Sequence, residues 1–139
     1  MKKIKYMNEA LKLAVNAFEE DEIPVGAVIV KDDQIIGRGY NKKEQTCNPL
    51  KHAELIAIED ACKSVGDWRL NDCEIYVTLE PCQMCMGAIV ETRIKKVIYG
   101  INKSDQMFND KKNINIIGGV LEDECLEILQ KFFQNKRNK

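Results

Sequence analysis

A chain of 139 residues, 45% apolar and 31% charged, has the size and make-up of one folded domain with its own core, which excludes a disordered tail or a fibrous repeat. A net charge of −1 excludes a protein whose main task is to coat nucleic acid, though not a local contact with it. No run of about 18 apolar residues occurs, so no membrane-spanning helix is expected, and Asn8, Glu9 and Lys12 interrupt the apolar stretch a signal peptide needs, which points to the cytoplasm.

The first helix is expected from residues 4 to 18, where Ile4, Leu11, Ala14, Val15 and Phe18 recur at helical spacing with charges between them. The acidic run from Glu19 to Glu22 ends it. PVGAVIV (24–30) is short and β-branched and reads as a strand. IIGRGY (35–40) reads as its hairpin partner across a turn centred on Asp32 and Asp33. Residues 41–51, with Asn41, Asn48 and Pro49, read as loop. HAELIAIEDACKSVG (52–66) reads as a helix with Leu55, Ile58 and Cys62 on one face and Gly66 as its stop. CEIYVTL (73–79) alternates as a strand. PCQMCMGAIVETRI opens the next helix with Pro81 at its first position. KKVIYGI (95–101) and INIIGG (114–119) read as two further strands. Residues 121–139 close the chain as an amphipathic helix whose basic end holds Lys131, Lys136, Arg137 and Lys139. Helices alternating with strands imply a sheet covered on both faces, a three-layer α/β/α sandwich forming a single domain over residues 1–139.

Chemistry is concentrated in two short motifs. Cys82 and Cys85 stand three apart after Pro81, and alone they fit a metal pair, a redox pair or two buried thiols. Only one CxxC occurs, which excludes a two-pair zinc ribbon, and the six cysteines of a chain without a signal peptide do not suggest a disulfide framework. His52 is the single histidine. Zinc favours imidazole nitrogen and thiolate sulfur, and a helix N-terminus favours the thiolate. His52, Cys82 and Cys85 then make three ligands, and a three-ligand zinc site keeps a fourth position for water, which ionises near neutral pH and becomes a nucleophile. Cys47 is a candidate fourth ligand if the site is structural instead. Deamination by such a nucleophile needs a proton carrier, and Glu54 is the carboxylate available. Residues i and i+2 of a regular helix do not face each other, so His52 and Glu54 must be brought to one pocket by the fold. Cys62, Cys73 and Cys125 sit in helix or strand patterns and read as core thiols.

His52-Ala53-Glu54 followed by Pro81-Cys82-x-x-Cys85 is the signature of the zinc deaminases. In order, PVGAVIV, GRGYN, HAELIAI, DWRL, YVTLEPCQMCMGAIV, RIKKVIYG and GVLEDEC with the later FF resemble the bacterial tRNA adenosine deaminases over roughly residues 5–137. The resemblance implies a cytidine-deaminase-like fold on a mixed five-stranded sheet. It also implies one zinc per chain on His52, Cys82 and Cys85, proton transfer by Glu54, base contact by Asn41, and a homodimer. The implied substrate is the wobble adenosine of a tRNA anticodon stem-loop. The chain departs from that family's pattern at Asn48-Pro49, where Asp-Pro is usual, and between Gly100 and Gly119, where the segment is shorter. The motifs leave a free base or nucleoside (guanine, cytosine, cytidine or adenosine) open as substrate. A non-catalytic, zinc-stabilised binding subunit is a third reading, in which Glu54 has no task.

Overall fold

The computed structural model describes residues 2–103 and 114–137. In chain order it contains α1 (Lys2–Glu19), β1 (Gly26–Lys31), β2 (Gln34–Tyr40), α2 (Lys43–Thr46), α3 (Ala53–Val65), β3 (Glu74–Leu79), α4 (Gln83–Glu91), β4 (Lys96–Ile101), β5 (Asn115–Ile117) and α5 (Glu122–Arg137). All expected elements are present, and α2 is an addition inside the expected loop. The middle of the shortened segment, 104–113, and the terminal Lys139 lie outside the described residues.

The five strands form one mixed sheet in the order β2-β1-β3-β4-β5. β1 pairs antiparallel with both β2 and β3, whereas β3–β4 and β4–β5 are parallel. The β1–β2 hairpin turns on Asp32 and Asp33, both with positive φ (51° and 63°), as a tight two-residue connection requires. Strand alternation divides the core in two. Ala27, Ile29, Ile75, Val77 and Val97 face α3 and α4, whereas Val28, Val30, Tyr76 and Ile98 face α1 and α5. This is the three-layer sandwich that alternating helices and strands imply.

The helix faces differ from the sequence expectation. α1 buries Tyr6, Met7, Ala10, Ala14 and Ala17, while Ile4 and Val15 are 49% and 41% exposed. α3 buries Ala53, Ala57 and Ala61 fully and Ile58 as expected, with Leu55 and Cys62 only half-buried at the edge of the core. Close approach explains both. A Cβ on Gly26 would lie 2.0 Å from the Ala10 carbonyl oxygen, and one on Gly39 would lie 2.4 Å from that of Ala53. Alanine stripes seat these helices directly on glycines of the strands, where larger apolar residues would hold them off.

Candidate metal centre and active site

The site lies beyond the carboxyl end of β3, where the chain leaves the sheet through Glu80 and Pro81. α4 starts at Gln83, so Cys82 is its N-cap, and Pro81 precedes the cap instead of opening the helix. His52 is likewise the N-cap of α3. Both residues have extended backbone (φ −80° and ψ 151° for His52, φ −74° and ψ 175° for Cys82), while their carbonyls accept the first helical bonds from Ile56 and Met86. The imidazole does not cap α3. Asn41 does so from outside the helix, its Oδ1 accepting the Ala53 N–H at 2.8 Å. His52 is thereby free to turn toward α4.

His52 Nδ1 lies 3.8 Å from Cys82 Sγ and 3.5 Å from Cys85 Sγ, and the three donor atoms lie within 4.8 Å of one another. Four-coordinate zinc with ordinary bond lengths of about 2.0 and 2.3 Å separates a nitrogen and a sulfur ligand by about 3.5 Å, so the donor set fits that ion. Cys82 is set to ionise first. The Cys85 thiol, the N–H groups of Met84 and Cys85 and the nearby His52 bring its pKa down to about 5 against the opposing effect of burial. The Cys82 thiolate and burial in turn push Cys85 up. Cys47 is exposed at the C-cap of α2 with φ 52°, outside the three-ligand group, which removes it as a fourth ligand. Cys73 and Cys125 are buried as expected, and burial pushes the Cys125 thiol up to about 12; Cys62 is only half-buried.

Glu54, in the first turn of α3, is 3% exposed. Burial pushes its carboxyl up to about 7. Its Oε1 is the one buried side-chain oxygen or nitrogen without a hydrogen-bond partner among the described residues. A partnerless buried oxygen is rare and points to a partner that is not protein. Glu54, His52, Cys82 and Asn41 all line one cavity of about 180 Å³. The convergence of His52 and Glu54 that helical geometry alone does not supply therefore comes from the helix end.

The sequence reading did not single out Glu80 and Lys103, which line the same cavity. Glu80 is 6% exposed and its Oε1 accepts the Lys103 N–H at 2.8 Å. Glu80 stands inside LEPC, but nothing in the spacing shows an acid to be buried. A second groove of about 480 Å³ adjoins this cavity and shares Ile23, Asn41 and Lys43 with it. It is the larger of the two and holds none of the candidate ligands, so it is not the chemical centre. Phe133 and Lys136 of α5 line its far side.

The family profile of the MafB19-like deaminases matches residues 1–137. The tRNA-specific adenosine deaminase of Bacillus subtilis (strain 168) is 40% identical over 147 aligned residues, which cover 96% of this chain and 90% of that protein. A solved tRNA:A34 deaminase, described for A-to-I editing at the wobble position of transfer RNA, superposes with a TM-score of 0.84 at 35% identity, covering 90% of this chain and 99% of that one. A guanine deaminase from Bacillus subtilis is 42% identical with a TM-score of 0.68, over 73% of this chain and 65% of that one.

Proposed function

Because the chain belongs to the MafB19-like deaminase family, we propose that it is a hydrolytic deaminase that converts adenosine to inosine at the wobble position of a tRNA anticodon. The observation that carries this reading is the cavity itself. His52 and Cys82 line it, the buried Cys85 completes a group of three metal-donor atoms behind them, and Glu54 presents a buried, partnerless oxygen to the same cavity. His52 Nδ1 and the two thiolates would hold one zinc ion. When bound, zinc supplies the Lewis acidity that brings water into nucleophilic range near neutral pH.

The protein groups carry the remaining work. Glu54 Oε1 accepts the two protons of the water in turn, the first as it attacks and the second from the hydroxyl it adds to the base carbon, and passes one to the ring nitrogen and one to the departing amine, so that water is consumed and ammonia leaves. Its raised pKa suits a group that must both take and give protons near neutrality. Asn41 spends its Oδ1 on Ala53, which fixes the side chain and leaves its amide N–H₂ to donate to the base edge. A catalytic task for Glu54 weighs against a purely binding subunit.

A cavity of about 180 Å³ suits a single base more than a whole nucleotide. The groove continuous with it gives the flanking part of a longer substrate somewhere to lie; an exposed Phe133 offers a face for stacking, and the charged lining sets Lys43 and Lys136, the latter paired with Asp21, beside Glu20, Glu22 and Glu44. This favours a base presented on a strand, flipped or already unstacked. A tRNA substrate places the work in the cytoplasm. Among the described residues no helix is long and apolar enough to cross a membrane. The likeness to a guanine deaminase motivates a second reading, in which a free base occupies the same cavity. A homodimer through the outer face of α4 is part of the proposal, supported by Met84 and Val90, which stand 38% and 49% exposed there. Sedimentation at two protein concentrations tests it.

A substrate panel tests the assignment. Inosine formation in an anticodon stem-loop is compared with ammonia release from guanine, cytosine, cytidine and adenosine. Turnover of the stem-loop is expected, and turnover confined to the free compounds would replace the first reading with the second.

A further inference from the structure

We propose that Glu22 is a positioning residue for the active site, acting through α2 on the cavity wall that carries Asn41 and Lys43. The inference rests on the cavity being the reaction site, but not on which base enters it.

Glu22 is 2% exposed, and among the described residues no cation forms an ion pair with it. Burying a carboxylate is costly unless hydrogen bonds replace its water. Here the replacements all come from one short segment. Oε1 accepts the Glu44 N–H at 3.1 Å, and Oε2 accepts the Gln45 N–H at 2.8 Å and the Gln45 side-chain amide at 3.2 Å. The Lys42 N-cap of α2 makes no side-chain cap bond, so Glu22 takes over the N–H groups that the helix start leaves unpaired. A second layer braces the first. The Gln45 amide also donates to Glu20 at 2.9 Å, and the Tyr40 hydroxyl donates to Glu20 in turn.

The segment held this way borders the reaction site. Asn41, one residue before Lys42, lines the cavity and caps α3 next to His52. Lys43, the first residue of α2, lines the cavity too. Four residues of helix have no stability of their own, because nucleating so short a helix is unfavourable. Asn41 and Lys42 are also held by backbone bonds to Val25 and Lys51, so the Glu22 carboxylate is the anchor of the α2 side of this wall, at Glu44 and Gln45 next to Lys43.

The test compares Glu22→Gln, Glu22→Asp, Asn41→Ala and the Glu22→Gln/Asn41→Ala double variant. Each is assayed with whichever member of the substrate panel the wild-type protein turns over, so a wrong substrate assignment leaves the result readable. Glutamine keeps the size but offers one acceptor oxygen where two are used. It is expected to raise KM about tenfold with kcat and metal content nearly unchanged, and to speed amide exchange at Glu44 and Gln45. Aspartate keeps both oxygens on a shorter arm and should retain part of the affinity. If glutamine prevents folding, the aspartate variant carries the KM and exchange measurements. In the Asn41→Ala background the glutamine change should add little, because both act on one wall. Unchanged KM with unchanged exchange would overturn the proposal, as would effects of the two substitutions that simply multiply.

Discussion

The imidazole of His52 lies 3.5 Å from the sulfur of Cys85, although 33 residues of chain separate them. That approach joins the start of α3 to the first turn of α4 and creates a donor set no local segment contains. Replacing one member should undo it. Cys82→Ala is expected to purify with little zinc and to unfold at lower temperature, since metal binding and folding are coupled. Metal analysis and thermal denaturation read the two effects. A full complement of zinc in the variant would remove Cys82 from the ligand set.

Glu54→Gln keeps the shape of the carboxylate and takes away its proton traffic. Turnover should fall by about 10²–10⁴-fold while zinc content and fold are retained. Single-turnover kinetics beside metal analysis separates this from a damaged site. Near-wild-type turnover would assign the proton transfer elsewhere.

Gly39→Ala sets a Cβ 2.4 Å from the Ala53 carbonyl oxygen and 2.6 Å from the Ala57 nitrogen. Both contacts are backbone, so α3 has to move as a body. Destabilisation of about 1–3 kcal/mol is expected in denaturant titrations. Zinc affinity should weaken as well, because Ala53 adjoins His52. Gly87→Ala is the matching control. Within one chain nothing beyond its own helix lies within 4 Å of its new methyl, so at concentrations where the protein is monomeric a helical glycine replaced by alanine should leave stability equal or raise it by about 0.5–1 kcal/mol.

Tyr40 donates its hydroxyl proton to Glu20, and that bond pushes the phenol up to about 12. In the unfolded chain it titrates near its ordinary value of about 10. The raised folded value means the stabilisation is whole below about pH 10 and is lost as pH climbs through about 12. The denaturation midpoint of the wild type should therefore fall toward that of Tyr40→Phe across this window. A gap between the two that stays constant with pH would contradict the assignment.

The element order was readable in the sequence because hydrophobic period and turn residues state it directly, as at Asp32-Asp33 and Gly66. The three donor residues that the structure brings together were readable because few residue types bind zinc and the chain has one histidine. The buried faces of α1 and α3 were readable only in part, at Ala14 and Ile58. A search for large apolar side chains selects Ile4, Val15 and Leu55, whereas close packing on Gly26, Gly37 and Gly39 selects alanine. Glu22 and Glu80 were missed for a related reason. An acid is presumed solvated until its donors are known, and those donors are backbone N–H groups supplied by distant segments. α2 escaped notice because four residues carry no periodicity.

α3 and α4 each begin at a candidate ligand, so the positive ends of two helices converge on the same few ångströms. Part of what favours the Cys82 thiolate is thus supplied by the peptide N–H groups of Met84 and Cys85, beside the Cys85 thiol and His52. Peptide dipoles do not change when a side chain does. The walls contributed by Ile23, Lys43 and Lys103 can accordingly diverge between relatives, or be exchanged deliberately, to admit a different base, while the backbone's share of the centre's electrostatics passes on intact.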